Sequence, residues 1–272
     1  MKNSIRLAAI DLDGTLLGPD HQISPANLAA LQHLEAQGIE ILIATGRHIT
    51  RIAPYLAKIR RARWAVTCQG ASVLDLENRT AIHSAFLTPA ESRLLVDLGT
   101  RLGYTSIIYA EDIIRAPQLN AMTDLYARIG GGAPVPMQLS ELARIRTHKV
   151  IWLGSSESIT RLPELPEIAD LPLYHVRSHE HVYEFLPSEA SKALGVAAVA
   201  ERLGIEAVEV VAFGDGDNDI PLFRWAGQSF AMPHGSRAAR QAARSIAPAG
   251  DAGNAFARAV EMLEQQPCPT IK

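Results

Sequence analysis

The sequence predicts an α/β protein with a parallel sheet in its core and a second α/β block inserted into that core. Three observations lead to this fold class. Strand and helix patterns alternate at the start of the chain, the alternation returns after Pro187, and the stretch between has shorter, hairpin-like strands. A length of 272 residues is enough for two modest domains. We therefore expect a discontinuous core, 1–80 and 187–272, around an inserted domain, 81–186.

The first part of the chain has the pattern of a parallel sheet with crossover helices. Ser24 and Pro25 begin a helix, because serine accepts hydrogen bonds at an N-cap and proline fits the first helical position. Another helix follows from about Ile49. Short apolar runs predict buried strands at Leu7–Ile10, Glu40–Ala44 and Ala65–Cys68.

The middle of the chain changes pattern. Ser72–Leu76 and Thr80–Ser84 alternate around a polar turn, which favours a hairpin. Thr88 and Glu91 have the spacing of a capping box at the start of a helix. A helix near Met122–Ile129 and strands with antiparallel character are also predicted, the strands at Ser106–Tyr109, Ile113–Arg115, Lys149–Leu153, Leu173–Val176 and Val182–Leu186.

After Pro187 the alternating pattern returns. Lys192–Leu203 has one apolar face and is followed by Gly204, as expected of a helix and its C-terminal stop. Val208–Phe213 predicts a buried strand that leads into the acidic run 214–219. A short strand and a last helix complete the prediction, at Ser229–Ala231 and Asn254–Glu264.

Composition excludes several classes of protein. The net charge of −3 provides no general attraction to nucleic acid or to anionic membranes. No apolar run is long enough to span a bilayer. Two distant cysteines, Cys68 and Cys268, cannot form a disulfide framework, so we expect a cytoplasmic protein. We expect a monomer or homodimer.

Two carboxylates two residues apart follow the first strand. Asp11 and Asp13 lie in the run 9–17, with Gly14 and Thr15 directly after them. Like charges at a strand end repel each other, and the usual compensation is a cation; an oxygen-ligand site suits Mg²⁺. A carboxylate can also attack phosphorus and carry the phosphoryl group. The structural alternative is a solvated acidic turn.

Two further polar clusters follow strands of the predicted sheet. Thr45, Gly46 and Arg47 follow the second strand, and the acidic run 214–219 follows Phe213. Ligands of open parallel sheets bind outside the carboxyl ends of the strands, so these clusters and Asp11 are expected at one edge. Lys192, at a helix start, is a fourth candidate.

These motifs, in this order, resemble those of haloacid-dehalogenase-superfamily (HAD) phosphatases, and specifically of the Cof-type (subclass IIB) group. The chain matches their four motifs at Asp11-Leu12-Asp13-Gly14-Thr15, Thr45, Lys192 and Gly214-Asp215-Gly216-Asp217-Asn218-Asp219. The resemblance implies a Rossmann-like catalytic core with an inserted α/β cap. It also implies Mg²⁺-dependent hydrolysis of a small phosphorylated metabolite, most plausibly a sugar phosphate.

The resemblance also assigns roles to residues. Asp11 would be the nucleophile and Asp13 the general acid and base. The metal would be bound by Asp11, the backbone carbonyl of Asp13 and Asp215, and bound or supported by Asp219. The phosphoryl group would be held by the side chains of Thr45, Lys192 and Asn218 and by the amides of Leu12 and Gly46.

Three positions depart from the family pattern. The Asn-Gly usual after the third strand is Gln69-Gly70 here, and the Lys-Gly of the third motif is Lys192-Ala193. The usual Met-Gly-Asn-Ala is replaced by the run 231–235, in which His234 either touches the site or is an exposed loop residue, and we expect the second. These changes leave the predicted chemistry intact but alter side chains near it.

Three alternative functions were considered for these residues, and two of them are disfavoured by the sequence. A phosphomannomutase-like phosphotransferase would use the same aspartyl-phosphate and return the phosphoryl group to a sugar. A non-catalytic metabolite-binding protein is disfavoured by the intact Asp11, Asp13, Lys192 and Asp215. A dinucleotide oxidoreductase is disfavoured because no glycine-rich fingerprint begins the first helix.

Overall fold

The computed structural model describes residues 5–59, 62–110 and 113–265, so Cys268 lies outside the described residues. Its strands are β1 (Leu7–Ile10), β2 (Glu40–Ala44), β3 (Trp64–Thr67), β4 (Ser72–Asp75), β5 (Thr80–Ser84), β6 (Thr105–Ala110), β7 (Ile114–Ala116), β8 (Val135–Pro136), β9 (Thr147–Leu153), β10 (Tyr174–His179), β11 (Val182–Leu186), β12 (Val210–Gly214), β13 (Gln228–Ala231) and β14 (Ser245–Ile246).

The helices are α1 (Pro25–Ala36), α2 (Ile49–Leu56), α3 (Pro89–Arg101), α4 (Ala121–Arg128), α5 (Ser156–Arg161), α6 (Pro166–Ala169), α7 (Lys192–Leu203), α8 (Ile220–Trp225), α9 (Arg237–Ala242) and α10 (Ala255–Gln265). Within the described residues, no helix has the length and apolar content needed to cross a membrane.

The first compact unit comprises the described residues of Met1–Thr45, Ala53–His83 and Ser191–Lys272. Its sheet has the strand order β14-β13-β12-β1-β2-β3-β4-β5. The strands from β14 to β3 run parallel, and β4 pairs antiparallel with β3. The predicted α/β fold with a parallel core sheet is therefore confirmed.

Helix α7 packs closely against this sheet. Val196 and Val199 belong to the same buried apolar cluster as Leu42 and Val66 of the sheet. A Cβ atom on Gly195 would lie 2.6 Å from a Val66 methyl group, so only glycine permits this approach. The contact fixes the start of α7, where Lys192 is located.

The second compact unit comprises Gly46–Ile52 and the described residues of Ser84–Ala190. Its sheet has the order β10-β11-β9-β6-β7-β8 and is antiparallel except between β7 and β8. Helix α3 packs on β9, where the Trp152 indole donates a hydrogen bond of 3.0 Å to the Leu95 carbonyl. The division of function between 81–186 and the flanking segments stays a prediction.

Most of the predicted elements match the structure within one or two residues, and the capping box of Thr88 and Glu91 is present. The strand predicted at Val208–Phe213 begins only at Val210, because a short 3₁₀ turn occupies 207–209. No bounds were predicted for helices α5, α6, α8 and α9. They have four to six residues each, too few to show a helical period in the sequence.

Candidate active site

The polar clusters predicted from the sequence meet at one edge of the first unit's sheet. Strand β1 lies between β2 and β12, and Ile10 is in register with both Ile43 and Phe213. The three strands therefore end at the same level. The Asp11 amide donates to the Phe213 carbonyl at 3.0 Å, so the chain is still held in the sheet when Asp11 begins the loop.

Three carboxylates converge at this edge. Ligand oxygens of Asp11, Asp215 and Asp219 all lie within 4.8 Å of one another. Burial, reinforced by the charges of Asp219 and Asp13 and opposed by Lys192, raises the pKa of Asp11 to about 7. Burial and the neighbouring carboxylates also raise the pKa of Asp215 well above its usual range. The cluster thus holds more negative charge than its surroundings stabilise.

Lys192 supplies positive charge to the cluster. Its Nζ donates hydrogen bonds of 2.6 Å to Asp11 Oδ1 and 2.7 Å to Asp219 Oδ1, and the side chain is fully buried. Burial opposes the charged form of Lys192, but the two carboxylates outweigh it and raise its pKa. Ser191 caps α7 by accepting a hydrogen bond from the Leu194 amide, which holds Lys192 at the first helical position.

Both carboxylate oxygens of Asp219 already accept hydrogen bonds. Oδ1 accepts from Lys192, and Oδ2 accepts from the backbone amides of Asp215 and Gly216 at 3.0 and 2.9 Å. Asp219 therefore fixes the Lys192 side chain and the backbone of the loop that carries Asp215. Two roles were expected for Asp219, binding the metal or supporting the site around it. This arrangement fits the supporting role.

Asp13 is in a different environment from Asp11. The Asp13 side chain is 46% exposed, with His21 Nδ1 at 3.7 Å from its Oδ1, whereas the Asp11 side chain is 7% exposed. Asp13 is not among the three converging carboxylates. Two carboxylates with unlike surroundings can hold unlike protonation states, as separate roles for a nucleophile and an acid–base group require.

Gly14 is required by the geometry of this loop. Its φ is +73°, in the left-handed region, and a Cβ atom would lie 2.2 Å from Asp215 Oδ2. Any other residue would displace the Asp215 carboxylate. The glycine after Asp13 thus allows the first and fourth motifs to approach each other.

The other predicted substrate-binding residues are divided between the two units: Leu12, Thr45 and Asn218 belong to the first and Gly46 to the second. Thr45, directly after β2, and Leu12, two residues after the end of β1, are both buried. The Asn218 amide donates a hydrogen bond of 3.0 Å to Gln69 Oε1. Gly46 begins the segment that groups with the second unit, where its carbonyl accepts a hydrogen bond of 2.8 Å from Lys149 Nζ.

Two histidines contact the loop that follows β1, and the sequence pointed to only one of them, His234, as a residue that could touch the site. His234 is exposed as expected, but its Nε2 lies 2.7 Å from the Gly14 carbonyl, so it contacts the loop that carries Asp13. His21, next to Asp13, was not considered at all. Neither contact has a local sequence signal, because each joins a histidine to a residue in another loop or turn.

The three converging residues fit a divalent cation. All offer carboxylate oxygens, the ligand type that Mg²⁺ prefers. Their burial and mutual repulsion, which raise the pKa of Asp11 and Asp215, would be relieved by a bound positive charge. The donor chemistry of the site therefore agrees with a magnesium centre.

The chain is similar in sequence to known proteins. Residues 8–260 match the family model of haloacid dehalogenase-like hydrolases. An HMP-PP phosphatase of Enterobacter sp. (strain 638) is 27% identical over 244 residues, covering 84% of each chain.

Solved structures share the fold. A haloacid dehalogenase-like hydrolase from B. subtilis superposes with a TM-score of 0.84 at 23% identity, covering 95% of this chain and 100% of that one. The HAD subclass IIB sugar phosphatase BT4131 superposes with a TM-score of 0.83 at 22% identity, covering 95% and 99%.

Proposed function

The chain belongs to the haloacid dehalogenase-like hydrolase family and is a phosphatase, and from this premise we propose that it hydrolyses small phosphate monoesters through a phosphorylated Asp11. One observation carries the proposal. Asp11 is buried and bonded to Lys192, while Asp13, two residues further on, is half-exposed. The site thus pairs a shielded carboxylate with one that can exchange protons.

The proposed reaction has two displacements at phosphorus. In the first, a carboxylate oxygen of Asp11 forms a bond to phosphorus as the ester oxygen leaves with a proton from Asp13. In the second, Asp13 takes a proton from water, whose oxygen attacks the phosphorus and displaces Asp11. The products are the alcohol and inorganic phosphate, and both aspartates return to their starting states.

The surrounding residues would hold the phosphoryl group. Lys192 contributes positive charge next to Asp11, and Asp219 holds the lysine in place. Thr45 and Asn218 would donate side-chain hydrogen bonds to phosphoryl oxygens, and the amides of Leu12 and Gly46 would donate from the backbone.

Mg²⁺ would be held by Asp11, Asp215 and the backbone carbonyl of Asp13, with Asp219 in support. When bound, it supplies positive charge that offsets the repulsion between the phosphate dianion and the Asp11 carboxylate. The haloacid dehalogenase-like hydrolases to which this chain belongs generally use this metal, and the donor set described above fits it.

The substrate class we propose is a small phosphorylated metabolite, with sugar phosphates first. Names of similar proteins support a small molecule: one is called an HMP-PP phosphatase and another a sugar phosphatase. At 27% and 22% identity these names leave the particular metabolite open. Cytoplasmic location and a monomer or homodimer stay predictions.

The test is phosphate release from p-nitrophenyl phosphate with Mg²⁺, followed by a panel of phosphorylated sugars. Asp11→Asn should lose at least about 10³-fold in kcat, because the nucleophile is removed. Asp97→Asn is the matched control, since Asp97 is exposed and forms a surface ion pair with Arg93. The wild-type enzyme should yield a phosphoryl adduct on Asp11 after acid quenching, detected by mass spectrometry.

Three outcomes would contradict the proposal or a part of it. Near-normal turnover by Asp11→Asn would exclude the covalent route. Transfer of the phosphoryl group to a sugar acceptor, with little release to water, would favour the phosphotransferase instead. Full activity in excess chelator would exclude the metal.

A further inference from the structure

The turn after β3 contains two consecutive residues in a backbone conformation that side chains disfavour. Cys68 has φ of +50° and Gln69 has φ of +57° and ψ of 23°, so both are left-handed although neither is glycine. Such conformations persist only where the surrounding structure enforces them, and they cluster at functional sites. The left-handed backbone of Cys68 and Gln69 therefore marks this turn as a candidate functional element.

Contacts on three sides hold this turn in place. The Gln69 amide donates to the Thr45 carbonyl at 3.1 Å. Gly70 packs so tightly on the backbone of Ser191 that a Cβ atom would lie 2.0 Å from the Ser191 carbonyl oxygen. The Gln69 residue is 1% exposed, and its Oε1 accepts a hydrogen bond of 3.0 Å from the side-chain nitrogen of Asn218. The turn thus touches the second motif, the residue before Lys192, and the fourth motif.

We propose that Gln69 is a positioning residue that orients the Asn218 side chain toward the phosphoryl group. The inference rests on the proposed function, which assigns Asn218 to phosphoryl binding. The Asn218 side-chain nitrogen carries two hydrogens. One is bonded to Gln69 Oε1, which fixes the amide plane, and the second is the donor for a phosphoryl oxygen.

The length of the Gln69 side chain allows its amide oxygen to reach the side chain of Asn218. Asparagine is one methylene shorter than glutamine and adopts the left-handed conformation more readily. Glutamine is therefore the more strained choice here, and its additional reach provides the bond to Asn218. Gln69 thus combines a strained backbone with a buried hydrogen bond to Asn218. This combination indicates that the hydrogen bond has a positioning role.

The experiment uses four variants of the full chain: Gln69→Met, Gln69→Asn, Asn218→Ala and the double variant Gln69→Met/Asn218→Ala. Gln69→Met keeps length and strain but removes the acceptor, whereas Gln69→Asn relieves strain but shortens the reach. Gln37→Met is the matched control, because Gln37 is exposed and bonds to Glu264 and His33 away from the sheet edge. The readouts are kcat/KM for p-nitrophenyl phosphate, inhibition by inorganic phosphate, and Tm.

We expect both single Gln69 variants to lose about tenfold in kcat/KM and to bind inorganic phosphate correspondingly less tightly. The Tm of Gln69→Asn should equal or exceed that of the wild type, since strain is relieved. The double variant should be no more than about twofold worse than Asn218→Ala, because Gln69 acts through Asn218.

Distinct results would overturn the inference. Wild-type kcat/KM in both Gln69 variants would exclude a positioning role. Multiplicative losses in the double variant, or a lower Tm in Gln69→Asn that accompanies its loss of activity, would show a separate structural role. If the wild-type enzyme itself released no phosphate, the proposed function would fail and the inference with it, whereas an active wild type separates the two.

Discussion

Removing the charge of Lys192 should destabilise the protein in a way that Mg²⁺ reverses. Lys192 Nζ lies 2.6 Å from Asp11 Oδ1 and 2.7 Å from Asp219 Oδ1. At an effective dielectric constant of about 20, each pair contributes roughly 6 kcal/mol of gross attraction. Desolvation of the buried ions offsets much of this, and breaking a buried pair typically costs about 3–5 kcal/mol net. For a chain of this size, that corresponds to a Tm lowered by roughly 6–20 °C.

The assay is thermal unfolding of Lys192→Met in chelator and in saturating Mg²⁺. In chelator the Tm of Lys192→Met should lie roughly 6–20 °C below that of the wild type. This difference should be smaller at pH 6 than at pH 8. The reason is that the raised pKa of Asp11, about 7, lets this carboxyl take up a proton at the lower pH and lose its charge. Added Mg²⁺ should restore at least half of the lost Tm, since a cation bound by the carboxylates replaces the missing charge.

Lys149→Met is the control for this experiment. Lys149 is equally buried and pairs with Glu184, but that pair lies in the second unit, outside the acidic cluster. It should therefore lower the Tm without any rescue by Mg²⁺. An unchanged Tm for Lys192→Met in chelator would refute the reasoning, as would equal rescue of the two variants by Mg²⁺.

Two further predictions concern the loop that follows β1. Because burial raises the pKa of Asp11 to about 7, protons should compete with the metal. The Mg²⁺ concentration for half-maximal rate should therefore rise as the pH falls from about 8 to about 6, and a constant requirement would contradict this. His234→Ala should lower kcat about fivefold, because the contact with the Gly14 carbonyl that holds the loop is lost. His234→Gln, which keeps a donor, should recover most of that loss; equal rates for the two variants would exclude the positioning role.

The elements of the core could be predicted from local sequence. Apolar runs at Leu7–Ile10 and Glu40–Ala44, and the Ser24-Pro25 start of α1, are confirmed by the structure. Each depends on short-range physics: strand periodicity, a capping oxygen, and a proline without an amide hydrogen. The bounds of the short helices α5, α6, α8 and α9 could not be predicted, because their apolar positions are too few to define a period.

The sequence by itself determined which groups could do chemistry and at which edge of the sheet they lie. Motifs directly after parallel strands must share an edge, so Asp11, Thr45 and Asp215 were placed together without coordinates. Tertiary structure alone decided how these groups are bonded. Lys192 is 181 residues from Asp11, and Gln69 is 149 residues from Asn218. Such pairs depend on packing between distant segments, which fixes side-chain direction and burial, and these in turn set the charge balance of the site.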